Sequence, residues 1–148
     1  MALVKPLVLV NGQIQQIQAG DTLNAAVAEQ EILTLTNSDA AASVLGELFY
    51  IFGAGAVKKA KSDAAGTARG AVIAKATIAS AATGSFQSSG IIAGLSGLTV
   101  GSVYYASAAT AGAITATAPS TVGQYVQEIG QALSTTDLLF NPKAPILL

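Results

Sequence analysis

A chain of 148 residues has the length of one ordinary domain, which is enough to bury one compact core. Hydrophobic residues make up 51% of it and charged residues only 10%, with a net charge of -1, so the composition excludes a strongly basic nucleic-acid-binding surface. Histidine and cysteine are both absent, which excludes Ser-His-Asp and Cys-His catalysis, disulfides and thiolate metal sites.

The N-terminal residues predict a β-hairpin. Leu7 to Val10 and Gln13 to Gln18 are β-prone runs separated by Asn11-Gly12, the strongest short-range hairpin signal. Ala19 to Asn24 then breaks the pattern, and Asp21 could cap a short helix that ends at Glu29. Met1 to Pro6 has too short an apolar run for a secretory signal, so none is expected.

Two further strands are predicted before residue 53. Leu33 and Leu35 alternate with Thr34 and Thr36, which indicates a half-buried strand that ends at Asn37-Ser38-Asp39, although Ile32 falls on the threonine side. The segment from Leu45 to Phe52 holds the densest cluster of large apolar side chains. Because Leu48, Tyr50 and Phe52 alternate with Phe49 and Ile51, this strand is expected to be buried on both faces.

The rest of the chain consists of short β-prone runs separated by glycine or serine clusters. They are 70–78, 86–92, 99–107, 113–118, 124–133 and 137–140. Alanine is common in them and favours helix, but the frequent glycines leave no room for helices of normal length. The pattern therefore predicts an all-β protein, an antiparallel β-sandwich or barrel with an extended N-terminal arm. Residues 1–44 would hold the arm, the hairpin and the short helix, and residues 45–148 the β-rich domain with an apolar C-terminal tail.

Charge is distributed unevenly along the chain. Most basic residues lie between Lys58 and Lys75, and from Ala76 to Gln127 there is no charged residue. The uncharged stretch is rich in Ala, Gly, Ser and Thr, so it does not predict a membrane span. The basic group favours a solvated loop or a lysine-protected edge strand, and the alternative is a patch for an acidic partner.

Three motifs that could carry chemistry have simpler explanations. Gly53-Ala54-Gly55 imitates the start of a dinucleotide-binding loop, but position 58 is lysine, so a hairpin turn is favoured. Tyr104-Tyr105 could stack on a sugar or a base, but strand alternation favours one tyrosine inside and one outside. Glu29 and Glu31 are the only closely spaced carboxylates, too little for an acid–base site. We therefore expect no enzyme, no catalytic residue, no cofactor and no metal.

Both ends of the chain are apolar and contain proline. Free termini are normally solvated, so these ends predict docking segments that add to the sheet edge or groove of a partner; the alternative is that they fold onto their own domain. The expected docking residues are Leu3, Val4, Pro6, Leu7, Val8, Leu9, Pro145, Ile146, Leu147 and Leu148.

Several segments resemble bacteriophage virion proteins. Lys5 to Leu23 is similar to an N-terminal motif of phage tail-fibre and related proteins. Gly97 to Tyr105, Ala118 to Gly123 and Ile129 to Thr136 resemble the β-domain of head-fibre and capsid-decoration proteins. The resemblance implies a trimeric knob on the particle and no catalytic residues.

The leading hypothesis is a capsid decoration (cement) protein. It would bind the major capsid protein as a homotrimer on the outside of the virion, and neither nucleic acid nor a membrane is expected as a partner. The short N-terminal region, which lacks a coiled-coil shaft, favours this hypothesis over a fibre. The alternatives are a head-fibre or tail-fibre receptor-binding knob that contacts the host surface and, less favoured, a polysaccharide depolymerase.

Overall fold

The protein is all-β throughout the part of the chain that the computed structural model describes, which is Leu7–Val10, Gln13–Gln16 and residues 31–148. The strands in this part are β1 (Leu7–Val10), β2 (Gln13–Gln16), β3 (Glu31–Asn37), β4 (Leu48–Gly53), β5 (Ala56–Lys59), β6 (Val72–Ala74), β7 (Thr83–Ile92), β8 (Val103–Ala106), β9 (Ile114–Thr115), β10 (Tyr125–Val126), β11 (Glu128–Ala132), β12 (Leu138–Phe140) and β13 (Ile146–Leu147). The all-β fold class predicted from the sequence is confirmed.

The N-terminal hairpin is also confirmed. β1 and β2 pair antiparallel, with Leu7 opposite Gln16 and Val10 opposite Gln13. The predicted helix between Asp21 and Glu29 lies outside the described residues.

Five strands close on themselves as a small barrel. β3 pairs parallel with β5 and antiparallel with β7, while β4 lies between β5 and β6, and β6 pairs with β7. The predicted antiparallel order is therefore interrupted by one parallel pairing. β3, from the segment 1–44, shares this barrel with strands from the segment 45–148.

Every barrel strand contributes to one apolar cluster. The buried members are Phe49, Val57, Val72, Ala74, Ile78 and Phe86, with Leu33 and Leu35 of β3 packed against them. The Phe49 and Phe86 rings meet edge to face with centroids 5.1 Å apart. Since strands alternate the direction of their side chains, these residues fill the barrel interior.

A second sheet covers one side of the barrel. The C-terminal part of β7 continues into β12, β11, β8 and β9, all antiparallel. Leu48 and Ile73, on the outer face of the barrel, pack in one buried cluster with Ile92, Ile129 and Phe140 of this sheet. Each fully buried side chain of this size contributes about 1.5–3 kcal/mol.

β7 therefore belongs to both sheets. Residues Thr83 to Ser89 pair with β3, and Gly90 to Ile92 pair with β12. The transfer occurs at Gly90, whose φ of 93° is a conformation that glycine adopts without a Cβ penalty.

Gln87 is fully buried, and its side chain stabilises the passage of β7 from one sheet to the other. Its Nε2 donates to the Ser89 oxygen at 2.7 Å and to the Ile91 oxygen at 3.1 Å, on either side of Gly90. Its Oε1 accepts from Lys75 Nζ at 2.9 Å, so the amide uses both of its ends.

One expectation about burial is wrong. Leu48 and Phe49 are buried on the two faces of β4, but Ile51 is 52% exposed and Phe52 is 56% exposed. The strand continues past the barrel as a hairpin with β5, and its turn at Ala54-Gly55 confirms the turn predicted there. The pattern of large apolar side chains in the sequence did not show at which residue of β4 burial ends.

We expect Gln87→Met to destabilise the protein. Methionine keeps the length of the side chain but removes the amide that holds the transfer of β7, so the free energy of unfolding should fall by about 2 kcal/mol. Urea denaturation measures this change as a lower midpoint with an unchanged slope. Gln131→Met is the control: its Nε2 donates to the Gly101 oxygen at 2.8 Å, but at an exposed site where water replaces the lost bond, so stability should change by less than about 0.5 kcal/mol. Equal effects of the two variants would contradict the role given to Gln87.

We also expect Gly130→Ala to destabilise the second sheet. A Cβ at Gly130 would overlap the Leu139 backbone oxygen, so β11 and β12 would have to move apart, at a cost of about 1–3 kcal/mol. At Gly53 a Cβ meets nothing within 4 Å, so Gly53→Ala is the matched control. Thermal unfolding of both variants tests this; a melting temperature for Gly130→Ala equal to that of the parent would show that the sheet accommodates the methyl group.

Candidate docking surface

The C-terminal residues form a short ribbon on their own chain. β10 and β13 pair antiparallel, with Tyr125 opposite Leu147 and Val126 opposite Ile146. The Leu148 N–H donates to the Gln124 oxygen at 2.9 Å, and the Leu148 oxygen accepts from the Gly123 N–H at 3.0 Å. Pro145 stands directly before Ile146 and Leu147 without preventing their pairing, because a proline at the start of a strand removes only its own N–H.

The apolar side chains of this ribbon face solvent. Ile146 is 67% exposed, Leu147 59% and Leu148 42%, and the neighbouring Val122 is 88% exposed. Consecutive side chains of a strand point to opposite faces, so β13 is open on both of its faces. We call Val122 together with Ile146, Leu147 and Leu148 the C-terminal apolar strip. Several large apolar side chains exposed close together in a folded protein mark a candidate interaction site.

A buried glutamine anchors the root of the ribbon. Gln127, 2% exposed, donates from Nε2 to the Lys143 oxygen and to the Gly70 oxygen, both at 2.8 Å. Its Oε1 accepts from the Gly70 N–H at 2.8 Å. Backbone bonds from Asn141 N–H to the Ile129 oxygen and from Lys143 N–H to the Glu128 oxygen continue the attachment. The strip is therefore held in a fixed position at the surface.

The structure describes only part of the predicted docking set. Leu3, Val4 and Pro6 lie outside the described residues, and Leu7, Val8 and Leu9 belong to β1, whose backbone pairs with β2. Pro145 is half-buried, and only Ile146, Leu147 and Leu148 are described as exposed apolar side chains. For the C-terminus, the alternative that the end folds onto its own chain is the one observed.

Sequence reasoning missed two other exposed apolar groups. At the tip of the β4–β5 hairpin, the Phe52 ring carries Lys58 Nζ 3.8 Å above its centroid and packs against Tyr50. On the outer face of the second sheet, Ile91 and Leu139 are cross-strand neighbours with exposures of 42% and 41%. The group around Phe52 was missed because its large apolar residues predicted a buried strand. The group of Ile91 and Leu139 was missed because these residues become neighbours only through the pairing of β7 with β12.

The basic group does not form an isolated patch. Lys59 Nζ lies 2.8 Å from Glu47 Oε1 with side-chain exposures of 14% and 19%, and Lys61 pairs with Asp63 at 2.6 Å. Lys58 and Lys59 pair with β4, while the pairing of β5 with β3 ends at Val57. Two of the five basic residues between positions 58 and 75 are thus paired with carboxylates of the same chain.

Tyr104 and Tyr105 follow the strand alternation. Tyr104 is buried, with its hydroxyl oxygen accepting from the Thr99 N–H at 3.0 Å, and Tyr105 is half-buried on the other face of β8. The prediction of one inner and one outer tyrosine is confirmed.

Neither metal ligands nor spanning helices were found in the described ranges. Residues 31–148 and the two N-terminal strands hold no cluster of three or more His, Cys, Asp or Glu side chains. No helix within these residues has the length and apolar character needed to cross a membrane.

Two cavities open on the surface. The larger, about 420 Å³, lies between residues 44–46 and 94–98, where Leu45, Leu95 and Leu98 give it apolar walls. The smaller, about 290 Å³, lies beside β9 and the loop that precedes β10.

In comparisons with known proteins, no family model, curated protein or solved structure matched this chain. The functional inference therefore depends on the surface chemistry of the described residues.

We expect Gln127→Ala to release the C-terminal ribbon. The change removes three hydrogen bonds at a buried site, so the free energy of unfolding should fall by about 3 kcal/mol and the Leu148 amide should exchange faster with solvent. Hydrogen exchange followed by NMR measures the second effect. Gln124→Ala is the control, because no side-chain hydrogen bond of Gln124 occurs within residues 31–148. Unchanged exchange at Leu148 would show that the ribbon does not depend on Gln127.

Proposed function

We propose that this chain is a structural protein of a phage particle, a capsid decoration protein that assembles as a homotrimer and binds the major capsid shell. The observation that carries the proposal is the C-terminal apolar strip, which a rigid all-β body presents to solvent. The choice of the capsid as partner rests on the expectation, drawn from residues 97–105, 118–123 and 129–136, that the chain is a virion protein of the head-fibre and decoration type.

The strip has two means of binding a protein surface. Its four side chains offer apolar area, and each can contribute on burial in a partner about 25 cal/mol per Å² removed from water. Among the described residues β13 pairs with β10 alone, so its other edge offers backbone N–H and C=O groups to a neighbouring strand. Such strand addition combines main-chain hydrogen bonds with side-chain contacts.

The low charge of the chain favours association of identical copies. With charged residues at only 10% and a net charge of -1, little repulsion opposes contact between subunits. The hairpin tip around Phe52 and the outer sheet face around Ile91 and Leu139 provide further apolar area for this contact. Contacts of the strip with the shell can then coexist with contacts between copies.

Stabilisation of the shell follows from mass action. A ligand that binds the assembled shell and not its free subunits lowers the free energy of the assembled state by an amount set by its concentration relative to its Kd. A trimer that carries three strips gains effective concentration once the first strip is bound. A small subunit with no chemistry of its own can act as a cement in this way.

The proposal predicts a trimer that depends on its chain ends for shell binding. Sedimentation equilibrium should give about 44 kDa, three times the chain mass of 14.7 kDa. In co-sedimentation with undecorated shells of the phage that encodes the chain, Ile146→Ser with Leu147→Ser should weaken binding by at least about tenfold, because apolar contact area is lost. Deletion of residues 2–10 tests the N-terminal arm in the same assay.

Val100→Ser is the control for the strip, since Val100 is 61% exposed and lies outside it. It should bind shells as the parent does. A monomer at high concentration that ignores the shells would refute the proposal, and full binding by the strip variant would exclude the strip as the contact.

A further inference from the structure

The smaller cavity is lined by polar side chains, in contrast to the C-terminal apolar strip. It is about 290 Å³ in volume and lies beside β9, at the loop that leads to β10. Six of its ten lining residues carry hydrogen-bonding side chains. They belong to Ser107, Thr115, Thr117, Ser120, Thr121 and Gln124.

Most of these side chains keep their hydrogen-bonding capacity. Ser107 Oγ accepts from the Ala109 and Thr110 N–H groups, both at 3.1 Å, and Thr115 Oγ1 accepts from the Thr117 N–H at 3.1 Å. Accepting these bonds fixes the oxygens in place and leaves each hydroxyl hydrogen to donate outward.

The other four lining side chains make no hydrogen bond within the part of the chain that the structure describes. Thr117, Ser120 and Thr121 are exposed, and Gln124 is half-buried. Several donors and acceptors therefore converge on one concave space.

The ligand for this cavity must be uncharged. No charged side chain lines the cavity, and the chain has no charge from Ala76 to Gln127, so an anion or a cation would lose its hydration without a counter-charge. The ligand must also offer several hydroxyl groups, since each lining side chain loses its water on binding and needs a replacement partner.

The volume of the cavity and its apolar lining residues further restrict the chemical class of the ligand. The volume of about 290 Å³ lies at the lower end of the range of small-molecule sites, about 300–1,000 Å³, so the cavity suits a small ligand such as one sugar unit. Ala118 and Pro119 add an apolar patch among the hydroxyls, which matches the C–H face of a sugar ring.

Close to the cavity, within residues 31–148, one buried serine has a hydroxyl group without a hydrogen-bond partner. Ser62 is fully buried, and its Oγ is the only buried side-chain polar atom in residues 31–148 without a hydrogen bond. Its N–H donates to the Ser107 oxygen and its oxygen accepts from the Tyr125 N–H, both at 2.9 Å. Ser62 thus bridges the two segments that form the walls.

From this lining we infer a binding site for a neutral saccharide unit, in which Ser107, Thr115, Thr117, Ser120, Thr121 and Gln124 exchange hydrogen bonds with sugar hydroxyls. The site goes beyond capsid docking, because it gives the particle a means of holding glycans. It uses side chains outside the C-terminal apolar strip, so it can be tested on the isolated protein.

The test is a ¹H–¹⁵N NMR titration of the full chain with glucose, galactose, mannose and N-acetylglucosamine in turn. We expect at least one sugar to shift amides of residues 107–109, 115–121 and 124 in a saturable way, with a Kd in the millimolar range of about 1–10 mM. Glucuronate, the charged analogue of glucose, should bind no better than glucose.

Thr117→Val with Gln124→Leu should weaken the responding sugar about tenfold, because hydrogen-bonding groups are lost while shape is nearly kept. Thr99→Val, an exposed threonine outside the cavity, is the control and should bind as the parent does. The spectrum of each variant without sugar checks that the fold is intact. Absence of saturable shifts with all four sugars, tighter binding of glucuronate, or equal binding by the double variant would each overturn the inference.

Discussion

The architecture depends on one strand that serves two sheets. β7 closes the barrel through its first part and begins the second sheet through its last three residues, and the two parts meet at Gly90. Gln87 fixes the angle between them by binding carbonyls on both sides of the glycine. The apolar cluster between barrel and sheet depends on that angle, since Ile73 of β6, which pairs with Gln87 in the first part of β7, and Ile92 in the last part of β7 both belong to it. The positions of β8 to β12, and hence of both surface sites, follow from this arrangement.

Short-range patterns predicted the strands but not their closure. The alternation in Leu33 to Thr36 and the Asn-Gly pair after Val10 are local signals, and both yield observed strands. The parallel pairing of β3 with β5 joins residues that are far apart in the chain, and no local signal encodes it. Burial of Ile51 and Phe52 was wrongly expected. Hydrophobic residues show which side chains a strand can bury, but the residue at which burial ends depends on long-range packing that the local sequence does not encode.

The candidate sites were predictable to different degrees. The apolar residues after Pro145 predicted a docking segment; Ile146 to Leu148 are exposed but pair with their own chain, and their docking to a partner stays a prediction. The short strand with β10 was not predicted, because it depends on Gln127 reaching both Gly70 and Lys143 across the fold. The hydroxyl-lined cavity brings Ser107 and Thr115 to the same place as Thr121 and Gln124. Composition showed that the region is rich in Ser and Thr, but only the folding of loops around β9 makes these residues converge.

The strip and the cavity share a structural element, which gives them a physical connection. Leu148 binds the backbone of Gly123 and Gln124, and the side chain of Gln124 lines the cavity. The two sites are separate in chemistry, since one is apolar and the other is lined largely by hydroxyls, but both contact Gln124, one through its backbone and the other through its side chain. If both proposals hold, linkage requires that a partner bound at β13 and a ligand in the cavity change the affinity for each other to the same extent.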